Sequence, residues 1–299
     1  DQGFYPDGIW TAPTDAALKN DIQLSILKKM CWVVGIVIAY TFIVGQITGN
    51  NSQVDKLWSI VPIIYTWYMT YLGGWNERMI FMSVLVTIWG ARLTYNFARR
   101  GAYTWKFWEG EEDYRWEILR KKPGFKNPFV WMLFNLLFIC FYQNVLIFLF
   151  TIPILSPLAN HTNEIGFIDG LLFGLFIRLV IHEFRADQQQ YDFQTEKYRR
   201  INAGEDLGEY ANGFISTGLW GKIRHPNYAA EQGIWITFYC LSIAATGEWL
   251  NWTIAGCILL VILFKGSADF SEEISASKYP AYKDYQKRVG KFLPKWKKS

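Results

Sequence analysis

The chemically densest stretch of the sequence is 218–231, where charged, amide and aromatic side chains surround one proline. A guanidinium such as that of Arg224 can hold a phosphate through charge-assisted hydrogen bonds. Trp220 or Tyr228 can stack on a planar ring, while Asn227 and its neighbours bond the polar edge of that ring. The stretch therefore predicts a site for a planar, phosphate-bearing ligand. The alternative is a helix-start loop held together by its own Asn and Glu side chains.

A second polar set precedes this stretch on one predicted helix. Arg178, His182, Glu183, Asp187 and Gln190 follow one another at intervals that place them along one helical face. Ionisable groups at membrane depth are costly to bury, so a functional role is the first hypothesis. The alternative is an internal ladder of ion pairs that fixes the end of the helix.

The C-terminal tail repeats tyrosines at close spacing and carries many lysines, between Glu273 and Pro294. Such a composition is typical of an interfacial amphipathic segment. It is equally compatible with a flap that closes over the stretch 218–231.

Long apolar segments must position these groups. Of the 299 residues, 51% are hydrophobic and 18% aromatic, and only 19% are charged, below the roughly 25% that soluble domains carry. Bilayer-spanning helices need about 20 mainly apolar residues, and seven segments approach that length. They are 31–47, 57–72, 79–98, 129–155, 165–181, 229–245 and 250–264. We therefore expect an all-α polytopic membrane protein of about seven transmembrane helices, with a polar N-terminal segment at 1–30 and a single membrane domain at 31–299.

The distribution of basic residues predicts the orientation of these helices. The connections 99–128 and 183–228 are rich in Lys and Arg, whereas 152–164 and 246–251 contain neither. By the positive-inside rule this places the N-terminus outside and the C-terminus in the cytoplasm. The basic cluster at 99–126 is interpreted as a topology signal and a contact for lipid head groups.

Several classes of site are excluded by what the sequence lacks. There is no Gly-rich dinucleotide motif, no P-loop and no H-E-x-x-H. The three histidines are too dispersed for a metal cluster, the four cysteines form no C-x-x-C pair, and no nucleic-acid motif accompanies the basic charge. We expect neither a metal site nor a nucleic-acid partner.

The run Arg224-His225-Pro226-Asn227-Tyr228 followed by Glu231 carries a family resemblance. Together with Asp187-x-Gln189 upstream and the tyrosine-rich tail, it resembles the steroid 5α-reductase-like membrane family. Weaker support comes from the segments 54–58 and 89–93.

The resemblance implies helices that enclose a lipid chamber, with NADPH held from the cytoplasmic side in the half at about 183–299. Hydride would pass to an activated C=C bond of a steroid-like or other lipophilic enone, followed by a proton. The implied cofactor-binding residues are Asp187, Gln189, Trp220, Arg224, His225, Asn227, Tyr228, Glu231, Glu273 and Tyr282.

The sequence departs from the family in two ways. Gln190 and Gln194 stand where sterol reductases carry basic residues, which weakens recognition of a 2′-phosphate. The acid and tyrosine that polarise a ketone in the family have only approximate counterparts here. The nearest candidates form a catalytic set of Asp55, Tyr95 and Arg92, with Trp89 as another residue at the tyrosine position. Asp55 could instead only cap a helix.

Two other functions stay open. Isoprenylcysteine carboxyl methyltransferases use a similar R-H-P-x-Y run and a late Glu-Glu and tyrosine tail to bind S-adenosylmethionine. A non-catalytic lipid-binding membrane protein is the other alternative. The expected surroundings are the lipid bilayer and a lipophilic small-molecule substrate, in the endoplasmic reticulum of a eukaryote or the inner membrane of a bacterium. The sequence predicts no oligomeric state.

Overall fold

The computed structural model describes residues 15–159 and 164–295, and its regular structure is helical throughout these ranges. The α-helices are α1 Asp15–Thr48, α2 Gln53–Leu57, α3 Val61–Leu72, α4 Glu77–Ala98, α5 Tyr114–Lys121, α6 Pro128–Phe134, α7 Gln143–Thr151, α8 Phe167–Ala203, α9 Pro226–Thr246, α10 Ile254–Lys278 and α11 Tyr282–Arg288. A π-helical segment, Asn135–Tyr142, joins α6 to α7, and a 3-10 helix, Ile152–Ala159, follows α7. Residues 1–14 of the predicted N-terminal segment, and His161, lie outside the described residues.

Each of the seven predicted apolar segments coincides with a helix, which confirms the all-α prediction for the described residues. Three of these helices are long and apolar enough to cross a membrane: Asp21–Thr48, Pro128–Ala159 and Ile254–Lys278. The second predicted segment is shorter than expected because its helix begins only at Val61. At 1.5 Å per residue its twelve residues extend about 18 Å, against a hydrocarbon core of about 30 Å.

Helix α8 is the long strut of the bundle. Its 37 residues extend about 55 Å, so the acidic and amide groups in its second half lie well beyond its apolar first half. It packs most extensively on α9, and also on α4. Beside it the rings of Trp89 on α4, Phe150 on α7 and Trp235 on α9 interlock, with centroids 4.8 Å apart for the two tryptophans and 4.0 Å for Phe150 and Trp235. This aromatic core packs α4, α7 and α9 together.

A buried ion pair fastens the start of α4 to the start of α8. Arg78 at the start of α4 lies 2.5 Å from Asp169 at the start of α8, and both are nearly inaccessible. Arg78 also donates to the carbonyl of Glu164, at 2.9 Å, and the Gly166 amide donates to Asp169. The bonds on both partners offset part of the cost of burying the two charges.

The contact between α7 and α10 yields a stability prediction. Gly256 on α10 lies so close to the main chain of Leu149 and Phe150 that an added methyl group would overlap it. Backbone atoms cannot move aside as a flexible side chain can. We expect Gly256→Ala to lower the free energy of unfolding by about 1–3 kcal/mol, the usual cost of overpacking, measured by thermal unfolding in detergent.

Gly170→Ala is the matched control. Gly170 lies on α8, and an added methyl group would meet nothing within 4 Å. Alanine is a better helix former than glycine by about 1 kcal/mol, so this variant should melt at or above the wild-type temperature. Equal melting of the two variants would contradict the close approach of α7 and α10.

Candidate functional site

The candidate site is a cavity of about 780 Å³ at the end of the bundle that carries the connections 99–127 and 204–225. Nine of the predicted site residues line it. They are Asp55, Asp187, Trp220, Arg224, His225, Asn227, Tyr228, Glu231 and Tyr282. One wall is polar and formed by α8 and the start of α9, and another is apolar and formed by Leu93, Phe138 and Phe264 with their neighbours. The cavity therefore offers a polar and an apolar environment side by side.

Arg92 ties the polar wall together from behind. Its guanidinium lies 2.7 Å from Glu183, 2.8 Å from Asp187 and 3.7 Å from Glu231, and all four side chains are buried. These contacts join α4, α8 and α9 at one point. Arg92 does not itself line the cavity. The structure therefore makes it a residue that positions the carboxylates and has no direct access to a ligand.

Asp187 in turn fixes two amide side chains. Its Oδ2 accepts from Asn96 at 2.9 Å, and its Oδ1 accepts from Asn227 at 3.1 Å. The side-chain oxygen of Asn227, Oδ1, accepts from the main-chain N–H of Tyr228. Asn227 is thus held in one orientation at the cavity wall, on the first turn of α9.

Glu231 is oriented by two indole groups. Trp89 donates to its Oε2 at 2.7 Å and Trp235 to its Oε1 at 3.1 Å. Of the two candidates for the tyrosine position, only Trp89 points into the bundle. Tyr95 is 56% exposed, beside Phe184, and does not line the cavity.

The loop before α9 is held against α8. Gln189 accepts from the Leu219 amide at 3.0 Å, and Trp220 donates to the Ala186 carbonyl at 3.0 Å. Gly218 adopts φ +60°, and a side chain there would also overlap Gln189. Gln189 therefore anchors the loop from behind and does not face the cavity.

The tail packs onto the same loop, as the flap interpretation expects. The amides of Arg224 and His225 donate to the carbonyls of Gly290 and Lys291, at 2.8 and 3.1 Å. Tyr285 donates to the Trp220 carbonyl at 2.5 Å. The tail thus forms part of the cavity wall.

Glu272 on α10 completes this attachment. It accepts from Arg224 Nε at 2.7 Å, from Gln286 at 2.9 Å, and shares a hydrogen bond of 2.9 Å with His225. The remaining Arg224 donors reach Glu272 and the carbonyls of Gln286 and Val289. Glu273, the predicted residue, points instead to solvent and pairs with Lys122 at 3.3 Å. Sequence reasoning selected Glu273 as the binding residue and missed Glu272, which is the one that faces inward.

The basic connection 99–127 forms a wall of the cavity that sequence reasoning missed. Its residues Asp113, Arg115 and Trp116 line the cavity. Asp113 accepts from Arg115 Nε at 2.9 Å and from its Nη2 at 2.8 Å, and Trp116 donates to Asp55 at 2.8 Å. The only signal in the sequence is the closeness of Asp113, Arg115 and Trp116, which the surrounding Lys and Arg residues obscure.

Polar side chains of α2 and of the two residues before it anchor this connection. Lys56 is fully buried and donates to the carbonyls of Phe107, at 3.1 Å, and Glu109, at 2.5 Å. The main-chain N–H of Asn51 donates to the Glu112 carboxylate at 2.7 Å. The Ser52 hydroxyl accepts from the main-chain N–H of Asp113 at 2.9 Å. The segment 51–56 therefore orders the connection over the cavity.

Asp55 lies on α2 and accepts the hydrogen bond of Trp116 from the connection 99–127. It is not the cap of α2, since Ser52 occupies that position. Burial, and then the adjacent Asp113, raise the pKa of the Asp55 carboxyl. Asp113 is buried too, but its contact with Arg115 outweighs burial and lowers its pKa. Two neighbouring carboxyls with opposite shifts are suited to an acid that keeps its proton beside a permanent anion.

The cavity lining carries an excess of negative groups. Five carboxyl groups line it, those of Asp55, Asp113, Glu183, Asp187 and Glu231, against the guanidinium groups of Arg100, Arg115 and Arg224. Arg115 is engaged by Asp113 and Arg224 by Glu272. Arg100, at the end of α4, is exposed. The described residues contain no group of three side chains suited to a metal ion.

Comparison with known proteins identifies relatives of the chain but no activity. A family model described as "Protein of unknown function (DUF1295)" matches residues 41–289. An uncharacterised protein of Schizosaccharomyces pombe, C594.04c, is 36% identical over 284 residues, covering 88% of this chain and 80% of its own. No solved structure matches.

The anchoring of the connection 99–127 predicts the effect of Lys56→Met. Methionine keeps the bulk of the side chain but leaves the carbonyls of Phe107 and Glu109 without their donor, and each unpaired buried group costs about 1–3 kcal/mol. We expect local release of this connection and chymotryptic cleavage near Trp108 at a rate several-fold above that of the wild type. Lys106→Met is the control, because Lys106 is exposed and pairs only at the surface. Cleavage at wild-type rate in both variants would contradict the anchoring.

The environment of Asp55 predicts a pH dependence. The pKa of Asp55 is raised on folding, so ionising this carboxyl destabilises the folded protein. This destabilisation is absent at low pH and grows as the pH rises past the ordinary pKa of Asp. Asp55→Asn removes that cost and keeps an acceptor for Trp116. The melting temperature of the variant relative to the wild type should therefore increase from about pH 4 to about pH 8. The exposed Asp21→Asn variant is the control for loss of a surface carboxylate. A difference between Asp55→Asn and the wild type that stays constant with pH would count against the raised pKa of Asp55.

Proposed function

This chain belongs to the DUF1295 family, which is part of the steroid 5α-reductase-like superfamily, and on that premise we propose that it is a membrane reductase. In this proposal hydride passes from NADPH to an activated C=C bond of a lipophilic substrate. The substrate class is a lipid enone, steroid-like or otherwise. The observation that carries the proposal is the meeting of the loop 218–231, Asp187 and Asp55 with an apolar wall in one cavity.

The polar wall has groups suited to a nicotinamide dinucleotide. Trp220 and Tyr228 offer aromatic faces, and Asn227 offers an amide that Asp187 holds in place. Arg100 is an exposed cation at the same cavity. When bound, the nicotinamide supplies the hydride, and the protein supplies position and electrostatics.

Asp55 is the proposed proton donor. Its pKa is raised, so its carboxyl retains a proton closer to neutral pH than an exposed aspartate does. Trp116 bonds Oδ2 and fixes the orientation of the group. A hydrogen bond from the carboxyl to a substrate carbonyl would polarise the conjugated C=C bond, and its proton would neutralise the oxygen as hydride adds to carbon. Tyr95 has no part in this step, and Arg92 acts through the carboxylates that it holds.

The proposed arrangement in the membrane follows the positive-inside rule. Seven spans, with the N-terminus outside and the C-terminus in the cytoplasm, open the cavity towards the cytoplasmic pool of NADPH. The membrane would be the endoplasmic reticulum of a eukaryote or the inner membrane of a bacterium.

A second candidate, methyl transfer from S-adenosylmethionine, is favoured by one observation. The excess of carboxyl groups around the cavity suits a cationic sulfonium better than the phosphates of NADPH. Glu272 belongs to the tail motif on which that resemblance rests, and it binds Arg224 and His225. A non-catalytic lipid-binding role remains the third candidate.

Thermal stabilisation by nucleotides separates the candidates. We expect NADPH to raise the melting temperature of the purified protein in detergent, since a ligand at 100 times its Kd stabilises the fold by about 2.7 kcal/mol. S-adenosylmethionine and NADH are measured in parallel. Asn227→Ala should abolish the rise, whereas Asn202→Ala, at an exposed position near the end of α8, should retain it.

The outcomes differ for each candidate. A rise with S-adenosylmethionine alone would replace the reductase by a methyltransferase at the same site. No rise with any nucleotide would favour the lipid-binding role. A rise that persists in Asn227→Ala would place the nucleotide outside the described cavity.

A further inference from the structure

The cavity has an opening that faces the bilayer. Phe138 on the π-helical segment and Ile262 on α10 both line the cavity, yet they are 36% and 57% exposed. Each lies in a helix long and apolar enough to cross a membrane. In a membrane the surface that they expose would face lipid, and the same two side chains border the cavity.

The packing of the two helices explains the gap between them. Helix α10 packs mainly on α7 and α9, whereas the π-helical segment packs mainly on α1 and on its own neighbours α6 and α7. Both elements therefore pack on α7 but do not form an extensive interface with each other.

Aromatic rings line one side of this opening. Phe134, Phe138 and Tyr142 follow one another at intervals of four residues, with ring centroids 5.1 and 5.5 Å apart and interplanar angles of 21° and 9°. Such near-parallel rings form a continuous aromatic surface. It leads from the exposed Phe138 to Tyr142 and the buried Gln143, all of which line the cavity.

A glycine keeps the other side open. Gly266 lines the cavity, is exposed, and a side chain added to it would meet nothing within 4 Å. Lys265 is exposed next to it, and Lys122 lies 4.9 Å from the ring centroid of Phe270. Lysines at this position are typical of the depth at which hydrocarbon gives way to head groups. The opening therefore lies at the boundary between the two.

We propose that the gap between Phe138 and Ile262, beside Gly266, is a lateral portal through which a bilayer lipid enters the cavity. The occupant is a membrane-resident lipid because the residues that border the opening lie on helices long and apolar enough to cross a membrane. The inference rests on the proposed function only in treating the cavity as a substrate site. It holds equally for a reductase, a methyltransferase or a lipid-binding protein.

The test measures access to the cavity and requires no substrate or cofactor. A cysteine is placed at Leu93, which lines the cavity from α4, in a chain whose accessible Cys31 and Cys240 are replaced by serine. The protein is reconstituted in phosphatidylcholine vesicles. Leu93→Cys is then labelled either with a hexadecyl maleimide dissolved in the bilayer or with a sulfonated maleimide in the water, and the rates are followed by mass spectrometry.

Gly266→Trp fills the open space beside Gly266 and should slow labelling by the hexadecyl probe at least tenfold. Labelling by the aqueous probe should be unchanged, which also shows that the cavity is intact. Gly174→Trp is the matched control, since Gly174 is an exposed helical glycine on α8 with nothing within 4 Å of an added side chain. It should alter neither rate. Phe138→Ala widens the opening and should accelerate the hexadecyl probe alone.

Three results would overturn the portal. Unchanged hexadecyl labelling in Gly266→Trp would show that lipid reaches the cavity elsewhere. Equal slowing of both probes would show that the lipid-dissolved probe and the water-dissolved probe reach the cavity by the same route. Unchanged hexadecyl labelling in Phe138→Ala would show that this ring does not border the route of entry. Because no nucleotide is present, none of these results depends on whether the proposed reductase binds NADPH.

Discussion

The polar half of this protein depends on the burial of one guanidinium among three carboxyl groups. Arg92 contacts Glu183, Asp187 and Glu231 in a region from which water is nearly excluded. Removing one partner from a buried ion pair costs about 3–5 kcal/mol, so none of these helices can shift alone without exposing an unpaired charge. The fixed positions of α4, α8 and α9 are what allow Asn227 and Glu231 to face the cavity in single orientations. One guanidinium cannot neutralise three carboxylates, and the remaining charge has to be met by bound protons or by a cation.

The same principle of satisfying buried polar groups orders the connection 99–127. Among the described residues Lys56 forms no ion pair with a carboxylate within 4 Å and bonds main-chain carbonyls instead. A buried ammonium of this kind is tolerated only where several acceptors converge on it, and these acceptors belong to the segment that carries Asp113 and Arg115 into the cavity. The environment of Asp55 is therefore determined at a distance. Its neighbours Asp113 and Trp116 are in place because Lys56 and Ser52 hold their segment.

The sequence was informative where a physical signal is local. The length of the apolar runs located helical structure in each of the seven segments, and the residue types and spacing at 218–231 pointed to a loop that does line the cavity. The start of α3 was misjudged because Leu57 and Trp58 continue the apolar run, while a separate turn at α2 interrupts the helix. Tyr95 and Glu273 were selected by position in a pattern, and a shift of one residue on a helix changes the face by about 100°. Contacts between distant segments, such as Lys56 with Glu109 or Arg224 with Gln286, leave no signature in a single sequence. The basic residues of 99–126 matched a topology signal and concealed a wall of the cavity.

The bonds of Arg224 bear directly on how a phosphate could be recognised. Its donors are engaged by Glu272 and by main-chain carbonyls of the tail, so contact with a phosphate would require Arg224 to leave these partners. Leaving them would free Glu272 as a buried carboxylate and would detach the tail from the loop. The geometry therefore assigns Arg224 to holding the tail and the loop together, and in the proposed reductase anion recognition would fall to Arg100. This division explains how a site whose lining is acidic overall can still serve a phosphate-bearing cofactor: the phosphates would lie towards solvent, and only the uncharged ring would need to reach Asn227.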